Sequence, residues 1–200
     1  MKYIQEKSLV IIKPDGVQRS LIGEVIQRLE RVGLKLVALK FEIPTNEKAK
    51  AHYTIDPDWI EKTGKKSIAG LERAGRDTSG LIPVEVGNDI LLRLQKYLSS
   101  GPVVIMVWQG AHSVDVIRKL VGGTEPRTSD VGTIRGDFVH DSYEISDMEK
   151  RSVRNVVHAS GTIEEAQKEI EVWFNSEEII SYRLVSEAVL YDVNVDGVQE

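Results

Sequence analysis

The sequence predicts an α+β fold, an antiparallel four-stranded sheet covered by helices, formed by one domain over residues 1–200. Three observations predict it. Short β-branched runs alternate with stretches whose apolar residues recur at helical spacing. No G-x-G-x-x-G opens a helix after the first apolar run, which argues against a dinucleotide-binding fold. Finally, the patterning lapses twice, at about 55–87 and 139–152, and these stretches read as insertions rather than as a second core.

Ser8 to Lys13 is a short apolar run of strand type, broken by the turn chemistry of Pro14-Asp15-Gly16. Ile22, Val25, Ile26, Leu29 and Val32 then fall on one helix face, and Gly33 supplies the stop. Leu34 to Ile43 reads as the second strand. Pro44-Thr45-Asn46 starts a short polar helix ending near Tyr53. Thr54 to Gly87 carries Gly64, Gly70, Gly75 and Gly80 among Lys62, Lys65, Lys66, Arg73 and Arg76, with few apolar positions. It is expected to be a partly ordered insertion or a lid that closes over a bound ligand. Asn88 can cap the next helix, which lines up Ile90, Leu91, Leu94, Tyr97 and Leu98. Ser99-Ser100-Gly101-Pro102 ends it, and Val103 to Trp108 is the third strand. Ser113 can cap a helix bearing Val114, Ile117, Leu120 and Val121, closed by Gly122-Gly123. A loop from Thr124 to Gly132 and the segment Thr133 to Phe138 lead into the acidic, turn-rich His140 to Lys150. Val153 to Val157 resembles the last strand, and Thr162 with Glu165 forms a T-x-x-E capping box before Ile163, Ala166, Ile170, Trp173 and Phe174. This order of strands and helices fits a ferredoxin-like sandwich.

Composition narrows the function. Hydrophobic residues at 41% and charged residues at 28% are those of an ordinary globular chain that can bury a core. A net charge of -5 argues against a general nucleic-acid coat, so no specific nucleic acid is expected as a partner. With no cysteine there is neither a disulfide framework nor a thiolate nucleophile or metal site. Met1 to Lys7 is too polar for a signal peptide, and no apolar run approaches the ~20 residues of a membrane span. A cytoplasmic protein with no membrane partner is the expectation.

Of the four histidines, none is paired as H-x-H or H-E-x-x-H, which leaves a zinc site without support. His52, His112 and His140 read as surface or structural residues. His158 stands apart, between the apolar Asn155-Val156-Val157 and a capped helix. An anion on its ring would feel the N–H groups and dipole of that helix start. Glu169 lies eleven residues on, about three turns. It can point back and fix the imidazole's tautomer, or it can be a solvated acid like Glu164, Glu165 and Glu171. Lys13, Arg118 and Arg135 are candidate cations for a phosphate, since phosphoryl transfer needs positioning and charge neutralisation, although each taken alone reads as a solvated surface charge and spacing does not make them converge. Gly64-Lys65-Lys66-Ser67 fails as a P-loop, because Trp59 holds the place of the first glycine.

Several segments, taken in order, resemble the nucleoside diphosphate kinases. They are Ile11-Ile12-Lys13-Pro14-Asp15-Gly16-Val17-Gln18-Arg19, Ser100-Gly101-Pro102-Val103-Val104, Gly132-Thr133-Ile134-Arg135-Gly136-Asp137-Phe138 and Arg154-Asn155-Val156-Val157-His158-Ala159-Ser160, with Trp173-Phe174 behind them. The resemblance implies a ping-pong enzyme. A nucleoside triphosphate phosphorylates His158, and a nucleoside diphosphate then takes the group. It further implies that Lys13 contacts phosphate and the sugar hydroxyl, and that Arg118 and Arg135 clamp the outer phosphates with Thr124. Asn155 would hold the ribose hydroxyl, Tyr53 and Ser160 would shape the histidine pocket, and Glu169 would hydrogen-bond the ring. Mg2+ is implied, bridging the nucleotide's own phosphates, together with a homo-oligomer, a hexamer or tetramer. Three positions depart from the family. Ile90 stands where a base-covering Phe is usual, Ser152-Val153 where Val-Gly is usual, and Ala159 where Gly follows the histidine. Trp59 is a candidate substitute base cover. A second reading, a catalytically weak nucleotide-binding regulatory module, follows from Ile90 and the two insertions, but Lys13, Arg118, Arg135, Asn155 and His158 are all present.

Overall fold

A computed structural model describes residues 5–196 and 198. Met1 to Ile4, on which part of the N-terminal reading rests, lie outside the described residues. Four strands, β1 (Lys7–Ile12), β2 (Lys35–Glu42), β3 (Val103–Gln109) and β4 (Val157–Ala159), form one sheet in the order β2-β3-β1-β4. Every pairing is antiparallel.

Around the sheet lie α1 (Pro14–Gln18), α2 (Ile22–Arg31), α3 (Asn46–Tyr53), α4 (Trp59–Arg73), α5 (Pro83–Leu98), α6 (Ser113–Val121), α7 (Ile134–Phe138), α8 (Tyr143–Met148), α9 (Ile163–Trp173) and α10 (Glu187–Leu190). Alternate strand residues face opposite sides. Val10, Ile12, Val104, Met106 and Trp108 pack with Val25 and Leu29 of α2 and Ile117 and Val121 of α6. Leu9, Ile11, Val103, Ile105 and Val107 pack with Ala49, Leu98, Trp173 and Phe174. Each such side chain contributes about 1.5–3 kcal/mol by leaving water. Among the described residues no helix is long and apolar enough to cross a membrane.

Local expectations needed four corrections. Pro14-Asp15-Gly16 is the start of α1 rather than a bare turn, with Pro at the first helical position, where its missing N–H costs nothing. The stretch 54–87 is largely helical, and α5 begins at Pro83, so Asn88 lies inside it and caps nothing. The α4–α5 hairpin is tight enough to need glycine. A Cβ on Gly64 would stand 1.8 Å from the Pro83 carbonyl oxygen, and one on Gly87 2.0 Å from that of Ile60. At α6 the cap position is His112, in the left-handed region at φ 53, and Ser113 is the first helical residue. Thr162 does cap α9, accepting from the Glu165 N–H at 3.1 Å, but the Glu165 carboxylate reaches past it to the Gly161 N–H at 2.8 Å.

The largest difference is the last strand. Val153 to Val157 is not a strand; pairing starts at Val157 and runs to Ala159. Val157, His158 and Ala159 stand opposite Ile12, Ile11 and Val10. Residues 154–156 instead form a constrained turn, described next.

Candidate active site

β4 sets the direction of His158. Ile11, its partner across the ladder, faces the α3 and α9 side of the sheet, and His158 points the same way. There its Nε2 lies 2.7 Å from Glu169 Oε1 on α9. Glu169 is buried, and its other oxygen accepts from the Ser160 hydroxyl at 2.6 Å. Ser160 in turn accepts from the Leu9 N–H at 3.0 Å. Glu169 is thus not solvated like Glu164, Glu165 and Glu171; it is buried within hydrogen-bond distance of the ring. With two donors on its carboxylate, the proton of a neutral His158 belongs on Nε2, and Nδ1 keeps its lone pair.

His158 is held far below the ordinary 6.5, at about 3. Burial is the main cause, followed by the charge of Lys13; Arg135 and Arg118 add to it, while Glu165 opposes. The imidazole is thus neutral, as a nucleophile must be. Burial raises Glu169, with His52 and the Ser160 hydroxyl opposing.

Of the two roles read for His52 from sequence, the structure shows the hydrogen-bonded structural one, buried against the His158 pocket. Its ring meets His158 edge-on, with centroids 4.5 Å apart, and its Nδ1 is 3.8 Å from Glu169 Oε1. That Nδ1 accepts from the Trp173 indole at 3.3 Å. Burial, then the nearby His158, lowers His52 to about 3, so it too is neutral. Tyr53 follows it on α3. Its hydroxyl is buried with no hydrogen-bond partner among the described residues, and burial beside Glu169 raises it so that it stays protonated.

Before β4 the chain is pinned from four sides. Val156, a β-branched residue, sits at φ 63, and the Val157 N–H bonds back to the Asn155 carbonyl at 2.6 Å. This is a strained γ-turn, which persists only where its surroundings over-determine it. Asp15 Oδ2 accepts from the Val156 N–H at 3.1 Å, and the Lys13 N–H donates to the Val156 carbonyl at 2.7 Å. Asp15 is itself held by the Tyr97 hydroxyl at 2.5 Å. Positive φ therefore falls on Val156, and Ala159 is not among the left-handed residues, so it carries no strain for lacking glycine.

The turn presents Asn155, whose Oδ1 accepts from Lys13 Nζ at 2.7 Å and whose Nδ2 donates to the Thr124 carbonyl at 3.0 Å. Lys13 is buried, 5.4 Å above the Tyr97 ring centroid. Burial and the Arg135 charge lower it from 10.5 to about 7, against the opposing Asp15.

Arg135 is not free as a clamp. Nε donates to the Asn155 carbonyl at 3.3 Å, Nη1 to Gly122 and Gly123 at 3.0 and 2.9 Å, and Nη2 to Val157 at 2.6 Å. These use four of its five N–H groups, leaving one for a substrate. Arg118, on α6, is exposed, with Nη1 3.6 Å from where a Gly161 Cβ would stand. Thr124 is exposed beside Asn155. Ile90 is half-buried on α5, seven residues before Tyr97 and so on the same face, about 10 Å farther along. Trp59 is likewise half-buried at the start of α4, its ring 6.0 Å from that of Tyr53.

Sequence reasoning missed Asp15, His52 and Tyr97 as site residues. In the sequence Asp15 carries only turn chemistry, because its partners Val156 and Tyr97 are far away in the chain. His52 and Tyr53 close α3 on the side of Ala49, and that spacing was the available signal.

Among the described residues, one group of three His, Asp or Glu could share a cation: His52, His158 and Glu169. Two imidazoles and one carboxylate in a dry core suit Mg2+ poorly, since it prefers oxygen ligands and keeps waters. Lys13, Arg135 and Arg118 add positive charge to the field at His158, which also disfavours a cation held directly by this group.

Comparison with known proteins gives one family. The model described as nucleoside diphosphate kinase matches residues 6–61 and 84–179 and passes over 62–83, which hold most of α4 and the loop after it. A nucleoside diphosphate kinase of Pyrobaculum aerophilum is 44% identical over 179 residues, 88% of this chain and 98% of that protein. The crystal structure of an NDP kinase from Pyrobaculum aerophilum superposes with a TM-score of 0.84 at 41% identity, covering 88% of this chain and all of that one. A nucleoside-diphosphate kinase from Borrelia burgdorferi, solved as a transition-state mimic with vanadate and ADP, gives 0.75 at 38% identity, covering 92% and 96%.

Proposed function

This chain belongs to the nucleoside diphosphate kinase family, and from that premise we propose that His158 Nδ1 carries the phosphoryl group between nucleotides. The chain is a phosphotransferase, moving the terminal phosphoryl group of a nucleoside triphosphate such as ATP to a nucleoside diphosphate. The observation that carries the His158 reading is the 2.7 Å contact of Nε2 with Glu169. It commits one ring nitrogen as donor and leaves the other as nucleophile.

In the first half-reaction Nδ1 attacks the terminal phosphorus. The Nδ1–P bond forms, the bond to the bridging oxygen breaks, and the nucleoside diphosphate leaves with that oxygen's electron pair. The Nε2 proton stays in place, shared with Glu169, which offsets the positive charge the ring acquires. Lys13 and Arg118 neutralise the phosphoryl oxygens, helped by the remaining N–H of Arg135 and by Thr124. Asn155 and Lys13 hold the ribose hydroxyls, and Tyr53 offers its unpaired hydroxyl to the phosphoryl group. Mg2+ on the nucleotide's phosphates supplies further charge neutralisation when bound. Ile90 or Trp59 covers the base without deciding which base is taken. The second half-reaction reverses the first with a new diphosphate. Acid-labile label from γ-labelled ATP, retained on the protein and passed to added diphosphate, is the expected result. Label transfer only in a ternary mixture, with none on the protein, would overturn it.

Lys13 adds a pH signature. At about 7 in the free protein it is largely neutral at pH 8, and an anionic phosphate beside it favours the charged form. Nucleotide binding at pH 8 therefore takes up approaching one proton, and affinity falls as pH rises above 7. Calorimetry in buffers of different ionisation enthalpy reads this directly. Zero uptake, or release, would contradict it.

The chain functions as a homo-oligomer in the cytoplasm. β2 is an edge strand, and its outer half and the residue after it show Leu39, Phe41 and Ile43 at 48%, 61% and 66% exposure. Its inner half is already covered, by the Ile180 N–H on the Val37 carbonyl at 2.8 Å and the Tyr182 hydroxyl on the Leu36 carbonyl at 2.8 Å. An open apolar edge is a pairing surface. Phe41→Asp should lower the mass seen by light scattering to a smaller assembly, whether the parent is a tetramer or hexamer; an unchanged mass would place the contact elsewhere.

A further inference from the structure

The geometry points to Asp141 as a positioning residue for the substrate's ribose, acting through Asn155. Asp141 lies in the stretch 139–152 and is 8% exposed. Its Oδ2 and Oδ1 take the Arg151 fork at 2.6 and 3.0 Å. Oδ2 also accepts from the Arg154 backbone N–H at 2.7 Å, and the Asp141 carbonyl accepts from the Arg127 N–H at 3.1 Å. One residue thereby fastens both flanks of the Asn155–Thr124 contact: Arg154 precedes Asn155, and Arg127 follows Thr124 by one turn of chain.

The strained Val156 turn shows why this matters. Asp15 and Lys13 hold Val156 itself, and Arg135 holds the Asn155 and Val157 carbonyls; the Asp141 carboxylate holds the backbone just before Asn155. Without it, the Arg154–Asn155 peptide would lose that anchor, and the strained turn could relax by swinging the amide away from Lys13. Burial disfavours the charged carboxyl, yet the Arg151 guanidinium and the N–H groups of Arg154 and Ser142 outweigh it and hold the group below its ordinary value. The far end of the insertion is also tied. Ser142 accepts from the Ile145 N–H to cap α8, and α8 meets α5 through Asp147 and Arg93 at 3.9 Å. The second insertion is therefore a wall built onto the nucleotide site.

The proposal rests on the reading that Asn155 holds the ribose hydroxyls, and the test separates the two. With a fixed triphosphate donor, kcat/KM is measured for ADP and for its 2′,3′-dideoxy analogue. A site built to bond hydroxyls prefers ADP by about a hundredfold or more. In Asp141→Ala this ratio should fall at least tenfold, with a raised KM for ADP, and Asp141→Asn should recover part of it. Arg151→Gln, made at the more exposed partner, should move the ratio the same way and decides the matter if Asp141→Ala does not fold. A merely structural role would lower both substrates together and leave the ratio unchanged; that outcome, in folded variants, overturns the proposal. If the parent itself fails to discriminate, the ribose reading of Asn155 is wrong and the proposal goes with it.

Discussion

His158→Ala takes up no acid-labile label from γ-labelled ATP, and its phosphotransfer rate falls by at least about 10⁴-fold, the scale of removing a nucleophile. Nucleotide affinity stays within a few-fold of the parent. Both halves of this expectation follow from what the imidazole does and does not touch. Its recorded hydrogen bond goes backwards, through Nε2 to Glu169, which Ser160 holds independently. Lys13, Asn155 and the Val156 turn are fixed by Asp15, Arg135 and Asp141, none of which leans on the ring. Truncation therefore leaves the phosphate and ribose contacts standing and removes only the acceptor of the phosphoryl group. Retention of label by the alanine variant would move the nucleophile elsewhere. Loss of labelling together with loss of binding would mean that the ring holds the pocket open rather than reacting.

The strands and helices that bury one face were legible because periodicity reports burial directly. β1, β3 and α9 appear within one or two residues of where their apolar spacing puts them. The failures have a common cause in contacts between residues distant in sequence. Val153 to Val157 has the composition of a strand, but Asp141 takes the Arg154 N–H and Asp15 takes the Val156 N–H, 141 residues away in the chain. No local pattern encodes that. At α5, Pro83 and Asn88 both carry start signals, and packing of Gly87 on Ile60 decides for the earlier one. Lys13 bonds Asn155, and its charge reaches His158, through contacts that span most of the chain. His52 escaped because a lone histidine on a short helix carries no signal until Glu169 is seen beside it. For Arg135 the sequence offers only a candidate cation, since the direction of the four backbone carbonyls it donates to is not written in residue types.

Arg135→Lys separates those roles. The substitution keeps the positive charge felt by Lys13 and His158, yet removes the planar fork. A lysine has one nitrogen on a flexible stem and cannot span carbonyls as far apart in the chain as Gly122 and Val157. Two of the four acceptors, Asn155 and Val157, belong to buried residues, and each buried acceptor left unpaired costs about 1–3 kcal/mol. Lysine can recover at most part of this, so the expected loss is about 2 kcal/mol or more, read as a lower urea midpoint at unchanged slope. Activity should fall further than one lost phosphate contact explains, by about 10²–10³-fold in kcat/KM, because the Asn155 turn and the start of β4 shift together. Arg118→Lys supplies the contrast: exposed on α6, it should lose activity with stability nearly intact. If Arg135→Lys behaved like Arg118→Lys, the bonds to the backbone would be incidental and Arg135 would be a phosphate clamp alone. If it loses both quantities, the cation proposed to meet the phosphates also builds the turn that presents Asn155 and His158, and that coupling explains why a guanidinium rather than an ammonium stands there.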